Sequence, residues 1–444
     1  MNRARLAPIA GISFVLVFLF LPGISAAKWG EDYRKQRFSI RLIWKTSGNE
    51  KVFSEDEGFP PQKIKEELER NDAPEEDKEW LLNALRMIAV RKERVLYTND
   101  GEAIDLPKDN LLRWHIITSK NKKYVMLCPV RLRGEGRGAV RDMASLKPSD
   151  HLFKFYGAES VEQTKRNWEK YLSREKESTF ILMDWRGKEL WRQFSMAGRS
   201  YISDDAKTIV ATHAGWRFGS SSYYDFYDEK REKIRVSKFP YGNDGTADLS
   251  ADGRRLVVIG GLYAGGGYST LVGYNSKGQE LWTRKVNGRP SKGVHVSRDG
   301  SFTSASTRER SYLLDRKGRV IGQLDVPRAA CQAFSTDAKY MLVLNRKGLH
   351  FATTRPLDIL WSYRPEHDVR YLGAAAILSN KELVAGTVIT SSPPHRLDVC
   401  IFGNGQILDT VLTLEGKEAS LLSSPNGRFL VVNSGTLLAA YDVR

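Results

Sequence analysis

The segment Ser250-Ala251-Asp252-Gly253-Arg254 is followed by the apolar run Leu256-Val257-Val258-Ile259. Aspartate before glycine suits a tight hairpin turn, and a short apolar run after such a turn predicts a buried strand. Five of the six gaps between successive copies of this turn are 38 to 47 residues, the length of a propeller blade, and the 84-residue gap is one blade with an insertion. The other copies start at Ser119, Ser203, Ser297, Ser335, Ser379 and Ser424.

A second repeated turn lies later in each unit. It is clearest at Asp184–Trp191 and Asn275–Trp282, with weaker copies at Asp315–Val320 and Phe402–Ile407. This turn predicts a hairpin between the third strand and the outermost strand, so each unit has four strands. The sequence therefore predicts an all-β fold, a seven-bladed β-propeller of four-stranded blades, over residues 95–444.

The last unit ends at Leu437–Asp442 after only three strands. A strand that could complete it lies upstream at 95–106, around the turn Asn99-Asp100-Gly101. We predict that residues 95–106 close the ring, because closure removes exposed sheet edges. Truncation of Tyr441–Arg444 should then be strongly destabilising.

Residues 1–27 have the pattern of a secretory signal peptide. Arg3 and Arg5 precede an apolar run from Leu6 to Leu21, and Ser25-Ala26-Ala27 offers small residues for cleavage. This predicts a periplasmic or secreted protein. An uncleaved N-terminal anchor is the alternative, because the apolar stretch could nearly span a bilayer. No cysteine follows the run, which disfavours a bacterial lipid anchor.

Residues 28–94 form an N-terminal segment in which two helices are expected. The first covers Gln62–Arg70, and the second starts at Pro74 with acidic residues behind it, as helix starts often do. The second carries an apolar stripe at spacings of three and four, which predicts packing against the main domain. The stripe consists of Trp80, Leu81, Ala84, Leu85 and Ile88.

The formal net charge of +16 favours anionic partners, either a protein or an anionic surface polymer, and leaves peripheral membrane association open. Export argues against nucleic acid as a partner.

Cys128, Cys331 and Cys400 are too few for a disulfide framework, and the latter two lie in apolar runs that predict burial. No metal-binding or cofactor motif is present, and no catalytic motif such as GxSxG or HExxH occurs.

The two turns resemble those of bacterial β-propellers in the WD40-like and PQQ-like repeat superfamilies. The Ser-x-Asp-Gly turn is similar to the first superfamily, and the Asp/Asn-x-x-Gly-x-x-x-Trp pattern at 184–191 and 275–282 to the second. The resemblance covers residues 95–444 and implies a periplasmic scaffold or binding protein more often than an enzyme. Quinone-dependent enzymes of the PQQ type use adjacent cysteines, which this chain lacks.

In a propeller, both repeated turns lie on one face, here called the turn face. The second-to-third strand loops and the blade-to-blade segments lie on the other, the long-loop face. Its long loops cover about 131–178, an insertion in the first blade, and about 212–222, 260–270 and 390–397. Binding residues concentrate on such loops, and arginine, tryptophan and tyrosine often carry interface energy. The candidate binding residues are Arg131, Arg133, Arg137, His213, Trp216, Arg217, Tyr223, Tyr224, Tyr263 and Tyr268.

Several of these candidates also have a purely structural interpretation. The arginines could form a solvated loop, Trp216 could pack under its own loop, and His213 could be a hydrogen-bonded histidine without a ligand. The leading hypothesis is a non-enzymatic exported scaffold that binds a protein or anionic envelope component through the long-loop face. The alternative is a hydrolase or lyase acting on an anionic saccharide at the channel mouth. Propellers host both roles.

Overall fold

The described part of the chain contains seven four-stranded antiparallel sheets, as a seven-bladed propeller requires, and in six of them the four strands follow one another in the order of the sequence. The computed structural model describes residues 39–47, 60–93, 95–97, 103–105, 112–131, 179–184, 188–194, 199–214, 222–239, 246–261, 267–329, 331–345, 347–365, 369–378, 383–390, 396–415, 418–434 and 437–444. The predicted signal peptide lies outside these residues, as does nearly all of the predicted insertion at 131–178.

The first four blades follow one another along the chain. Blade 1 contains β4 (Leu112–Thr118), β5 (Tyr124–Arg131), β6 (Thr179–Asp184) and β7 (Glu189–Phe194). Blade 2 contains β8 (Arg199–Ile202), β9 (Ile209–Ala214), β10 (Ser222–Tyr227) and β11 (Lys233–Phe239). Blade 3 contains β12 (Thr246–Leu249), β13 (Arg255–Gly260), β14 (Tyr268–Asn275) and β15 (Glu280–Asn287). Blade 4 contains β16 (Pro290–Val296), β17 (Phe302–Thr307), β18 (Ser311–Asp315) and β19 (Val320–Leu324).

The remaining blades complete the ring. Blade 5 contains β20 (Cys331–Phe334), β21 (Tyr340–Asn345), β22 (Gly348–Thr353) and β23 (Ile359–Tyr363). Blade 6 contains β24 (Val369–Leu378), β25 (Leu383–Thr390), β26 (Arg396–Gly403) and β27 (Gln406–Glu415). Blade 7 contains β28 (Ala419–Ser423), β29 (Phe429–Ser434), β30 (Leu437–Val443) and, as its outermost strand, β1 (Ile40–Ser47).

The strand that closes the ring is therefore β1, and the prediction that residues 95–106 do so is wrong. Ile40 pairs with Val443 in an antiparallel ladder, and Ser39 and Arg444 exchange backbone hydrogen bonds of 2.9 Å. Residues 95–106 instead supply a separate two-stranded hairpin, β2 (Val95–Tyr97) and β3 (Ala103–Asp105). The propeller sheets thus begin at residue 40, inside the segment 28–94 that was predicted to precede the propeller.

Both predicted helices are present, as α1 (Gln62–Glu69) and α2 (Glu75–Glu93). The predicted stripe of α2 is buried against blade 7, in one cluster with Ile43, Trp44 and Phe429. Met87, on the same helix, packs against Val125 and other residues of blade 1. Helix α2 therefore contacts both blade 7 and blade 1, at the point where the ring is joined.

The repeated serine holds the first turn together through its own hydroxyl. Ser250 Oγ donates to Asp252 Oδ1 at 2.6 Å and accepts from the backbone N–H of Arg255 at 3.0 Å. The residue after the aspartate takes a positive φ, as at Gly253, where glycine carries no steric penalty. Five further described turns repeat the serine bond to the backbone, at Ser119, Ser203, Ser297, Ser335 and Ser424. The copy at Ser379 lies outside the described residues.

Each outermost strand of blades 1 to 6 contains a β-bulge shortly after its hairpin. In blade 3, Trp282 pairs with Gly273 and Glu280 with Tyr274, so Leu281 is the extra residue. The tryptophan of the repeated motif then packs inward, against Gly273 and Gly318. The bulged residues are aliphatic in all six blades: Leu190, Ile234, Leu281, Ile321, Leu360 and Leu408. A bulge in an edge strand disrupts the ladder that another chain could otherwise extend.

Candidate binding surface

The long-loop face contains the second-to-third strand loops and the blade-to-blade segments, as the strand order requires. Five of the predicted binding residues lie outside the described part of the chain: Arg133, Arg137, Trp216, Arg217 and Tyr263. Arg131 is the last residue of β5, and His213 lies near the end of β9, opposite Tyr223 on β10. Both positions lie at this face.

Two adjacent tyrosines on β10 have different environments, because successive residues of a strand point to opposite sides. Tyr223 is partly exposed. Tyr224 is only 1% exposed and stacks on Tyr274, at 6.3 Å between ring centroids, in the core between blades 2 and 3. Tyr224 therefore belongs to the core of the propeller rather than to its surface.

Tyr268 begins β14 and is 40% exposed. The ammonium of Lys285, on the neighbouring strand β15, lies 4.8 Å from the centroid of its ring. Such a cation–π contact contributes about 0.5–1 kcal/mol at an exposed site. The pair presents an aromatic surface and a positive charge together on the long-loop face.

Three exposed arginines, here called the arginine row, lie on consecutive segments of this face: Arg289, Arg308 and Arg328. The N–H of Arg308 donates to the carbonyl of Arg289 at 2.9 Å, and the N–H of Arg328 donates to the carbonyl of Thr307 at 3.0 Å. These backbone bonds fix the three loops relative to one another. The arginine row lies on short segments, whereas the binding residues predicted from the sequence lie on or beside the long loops.

The charge around the arginine row is mainly positive. Glu309 accepts from the backbone N–H of Arg289 at 2.9 Å, and Arg310 lies 3.8 Å from Asp325. Within the described residues, no carboxylate forms an ion pair with a guanidinium of the arginine row. Further exposed cations extend the same surface, at Lys285, Lys347 and Arg364.

Basic residues also occur where the channel opens onto this face. The innermost strand of each blade starts here, because the blade-to-blade segments enter from this side. In four blades, one of the first three residues of that strand is basic: Arg113, Arg199, Lys292 and Arg370. The topology thus brings basic positions from blades 1, 2, 4 and 6 to one mouth of the channel.

The opposite mouth, on the turn face, is crossed by polar contacts between distant blades. Lys120 of blade 1 reaches Asp248 Oδ2 at 3.1 Å and the carbonyl of Val296 at 2.9 Å. Arg298 of blade 4 contacts Asp204 at 3.6 Å and Glu76, in the first turn of α2, at 3.1 Å. Turn loops and the start of α2 therefore meet near the centre of the turn face.

Burial shifts the pKa of two groups at this mouth. Loss of hydration raises the pKa of the Asp204 carboxyl, against the opposing effects of the Asn121 N–H and of Arg298. Loss of hydration lowers the pKa of the His295 imidazole; Lys120 acts in the same direction and Asp248 opposes it.

Several absences apply only to the described part of the chain. No group of three or more His, Cys, Asp or Glu side chains there could hold a metal ion. Neither described helix is both long and apolar enough to cross a bilayer.

Cys400 is buried, as predicted, and burial raises the pKa of its thiol to about 11. Of Cys128 and Cys331, only the strand positions are described, in β5 and β20.

No family model matches the chain, and no curated protein matches it. Among solved structures, it is similar to the Cps50 (Swd1) β-propeller domain of Myceliophteria thermophila, at 13% identity over 60% of this chain and 90% of that one, with a TM-score of 0.39. It is also similar to the C-terminal WD40 domain of Sif2, at 8% identity over 77% of this chain and 85% of that one, with a TM-score of 0.49. With scores below 0.5, neither likeness carries an argument, and the propeller assignment stands on the strand order.

Proposed function

We propose that this propeller is a non-enzymatic, exported scaffold that binds a protein or an anionic envelope polymer through its long-loop face. The observation that carries the proposal is the arginine row, three exposed guanidinium groups held on loops that backbone hydrogen bonds connect. Guanidinium groups suit carboxylate, sulfate and phosphate, because their planar donors form paired hydrogen bonds.

The rigidity of these loops supports a binding role. A preorganised surface loses less conformational entropy when a ligand binds than a flexible one does. Tyr268 and Lys285 add an aromatic contact on the same face, and the basic positions at the channel mouth extend the positive field. A surface of this composition attracts an extended anionic partner and accelerates its encounter.

The test compares two triple variants that remove the same charge. The first is Arg289→Ala/Arg308→Ala/Arg328→Ala; the control is Lys188→Ala/Lys230→Ala/Lys277→Ala, which removes three exposed cations from outer turns of the turn face. Binding to fluorescent heparin and to polygalacturonate is measured at physiological salt. Exposed charge contacts are each weak, so we expect the first variant to bind roughly tenfold more weakly and the control to change little.

Equal losses in both variants would reduce the effect to overall charge and contradict a site on the long-loop face. Unchanged binding in the first variant would exclude the arginine row. The alternative that the partner is a protein is tested by pull-down from the native envelope with the same two variants. Loss of a partner with the control but not with the first variant would move the interface to the turn face.

Export is tested separately. We expect the intact mass of the protein from its native cells to correspond to a chain that lacks residues 1–27. A mass that includes those residues would favour the uncleaved anchor. Recovery of the protein only from the cytoplasmic fraction would contradict export itself.

A further inference from the structure

The outer turns, which join the third strand of a blade to its outermost strand, differ in charge. From the end of the third strand to the residue before the bulge, they cover 184–189, 227–233, 275–280, 315–320, 353–359 and 403–407 in blades 1 to 6. In five of these turns the acidic and basic residues cancel or are absent. The turn of blade 4 differs, because Arg316, Lys317 and Arg319 face a single carboxylate, Asp315, which leaves a formal charge of +2.

Two further arginines reach the outer turn of blade 4 from blade 3. Arg255, at the start of β13, donates from Nη1 to the carbonyl of Arg316 at 2.5 Å. Arg284, on β15, donates from Nε to the carbonyl of Gly318 at 3.1 Å. We call the resulting group of five cations the basic turn; its members are Arg255, Arg284, Arg316, Lys317 and Arg319.

The charge of the basic turn is only partly compensated. Arg319 pairs with Asp315, at 2.6 Å between Nη2 and Oδ2. Arg316 and Lys317 are exposed, and neither forms an ion pair with another described residue. The basic turn therefore presents free cations on the turn face, on the opposite side of the propeller from the arginine row.

Arg255 is the buried member of the basic turn, with 8% of the residue exposed. In the described part of the chain it forms no ion pair. Loss of hydration lowers the pKa of its guanidinium, and the charge of Arg316 acts in the same direction, whereas Asp252 and Asp315 oppose the change. A poorly hydrated cation beside a second cation lacks a counterion, which an anion bound at this turn would supply.

The backbone of the basic turn is fixed against blade 3. Gly318 takes a φ of +72° and lies so close to Trp282 that a Cβ would overlap the indole ring. The carboxylate of Asp315 accepts from the backbone N–H groups of Lys317 and Arg319, at 2.8 and 2.9 Å. A turn that is already held in one conformation loses little entropy when it binds a ligand.

We propose that the basic turn binds a phosphate or sulfate group. The planar donors of arginine form paired hydrogen bonds with such oxyanions. The neighbouring outer turns, in blades 3 and 5, have no net charge, so the cationic surface is short. A short surface suits a single compact anion, a lipid headgroup or a small soluble phosphate compound, better than an extended polyanion. This site goes beyond the function proposed above and does not depend on it.

The first experiment measures binding of inorganic phosphate, from the rise of the thermal midpoint with phosphate concentration at constant ionic strength. Arg316→Ala/Lys317→Ala removes the two free cations of the basic turn. The matched control is Lys230→Ala/Lys277→Ala, which removes two exposed cations from the outer turns of blades 2 and 3. We expect the apparent dissociation constant to rise roughly tenfold in the first variant and to stay unchanged in the control.

The general stabilisation that phosphate gives to any folded protein acts on all three proteins alike, so only the difference between them is informative. Circular dichroism verifies that each variant is folded. An unchanged dissociation constant in Arg316→Ala/Lys317→Ala would overturn the proposal. So would an equal rise in the control, since the effect would then come from overall charge.

The second experiment identifies the source of the phosphate group. Flotation is measured with vesicles of phosphatidylglycerol and phosphatidylcholine in equal amounts. Each cation near an anionic bilayer strengthens binding roughly fivefold, so a lipid headgroup as ligand predicts roughly 25-fold weaker binding by Arg316→Ala/Lys317→Ala. If that variant loses phosphate binding but floats like the control, the ligand is a soluble phosphate compound.

Two results with other probes would also contradict the proposal. Loss of heparin binding by Arg316→Ala/Lys317→Ala without loss of phosphate binding would assign the basic turn to an extended polyanion. Loss of phosphate binding only in the triple variant of the arginine row would place the phosphate site on the long-loop face. Failure of the basic turn leaves the proposed function intact, because that function is tested by variants on the other face.

Discussion

Residue 43 offers a direct test of how the ring is closed. Ile43 on β1 is 2% exposed and packs with residues of blade 7 and helix α2, whereas its neighbour Leu42 is 43% exposed. Replacing a buried isoleucine by alanine costs about 2–5 kcal/mol, because apolar contacts are lost and a cavity remains. The same change at Leu42 should cost less than about 1.5 kcal/mol, since much of that side chain already contacts water.

The assay is hydrogen exchange, measured by mass spectrometry on the peptide 437–444. Its amides are protected by pairing with β1 and β29, so exchange reports opening of blade 7 without requiring two-state unfolding. If the whole loss of 2–5 kcal/mol lowers the free energy of local opening, Ile43→Ala should lower the protection of this peptide by roughly 30- to 4,000-fold, at about 1.4 kcal/mol per factor of ten.

Leu42→Ala serves as the matched control on the same strand. Deletion of Tyr441–Arg444 should be strongly destabilising for the same reason, since it removes pairing partners of β1. Equal protection in Ile43→Ala and Leu42→Ala would refute closure through β1. So would an Ile43→Ala protein whose peptide 437–444 exchanges like the wild type.

Two further predictions concern the channel and an outer turn. The unfolded chain protonates His295 near pH 6.5, whereas burial lowers the pKa in the folded protein, so stability should fall as the pH drops below about 6.5. His295→Gln should reduce the difference in thermal midpoint between pH 7.5 and pH 5.5, and an unchanged difference would contradict this assignment. Gly278→Ala forces alanine into a φ of +72° with its Cβ 2.6 Å from Phe226, and should cost more than about 1 kcal/mol. Gly267→Ala, which has open space around its Cβ, is the control, and equal midpoints in urea would argue against the strain.

The repeat was predictable because its stabilising contacts are local. The hydrogen bond from Ser250 to Asp252 and the positive φ at Gly253 involve residues within one five-residue stretch. The sequence of the turn is therefore enough to predict them. The stripe of α2 was predictable for the same reason, since its spacing encodes a buried face. Blade number and strand count both follow from these local patterns.

The closing strand was not predictable in this way. Its partner lies at the other end of the chain, and the segment 95–106 has turn residues that look equally suitable. Only the packing of Ile43 and Trp44 into the cluster with α2 distinguishes the true strand. The arginine row depends likewise on backbone bonds between different loops, such as that between Arg308 and Arg289, which no local pattern reports.

The pairing of Ile40 with Val443 also has a kinetic consequence. A ribosome releases β1 long before β30, so β1 must wait unpaired until blade 7 has been synthesised. Contacts of such high sequence separation form slowly, and unpaired strands are prone to aggregate meanwhile. The yield of folded protein should therefore depend on chaperones that shield β1 until β30 is available.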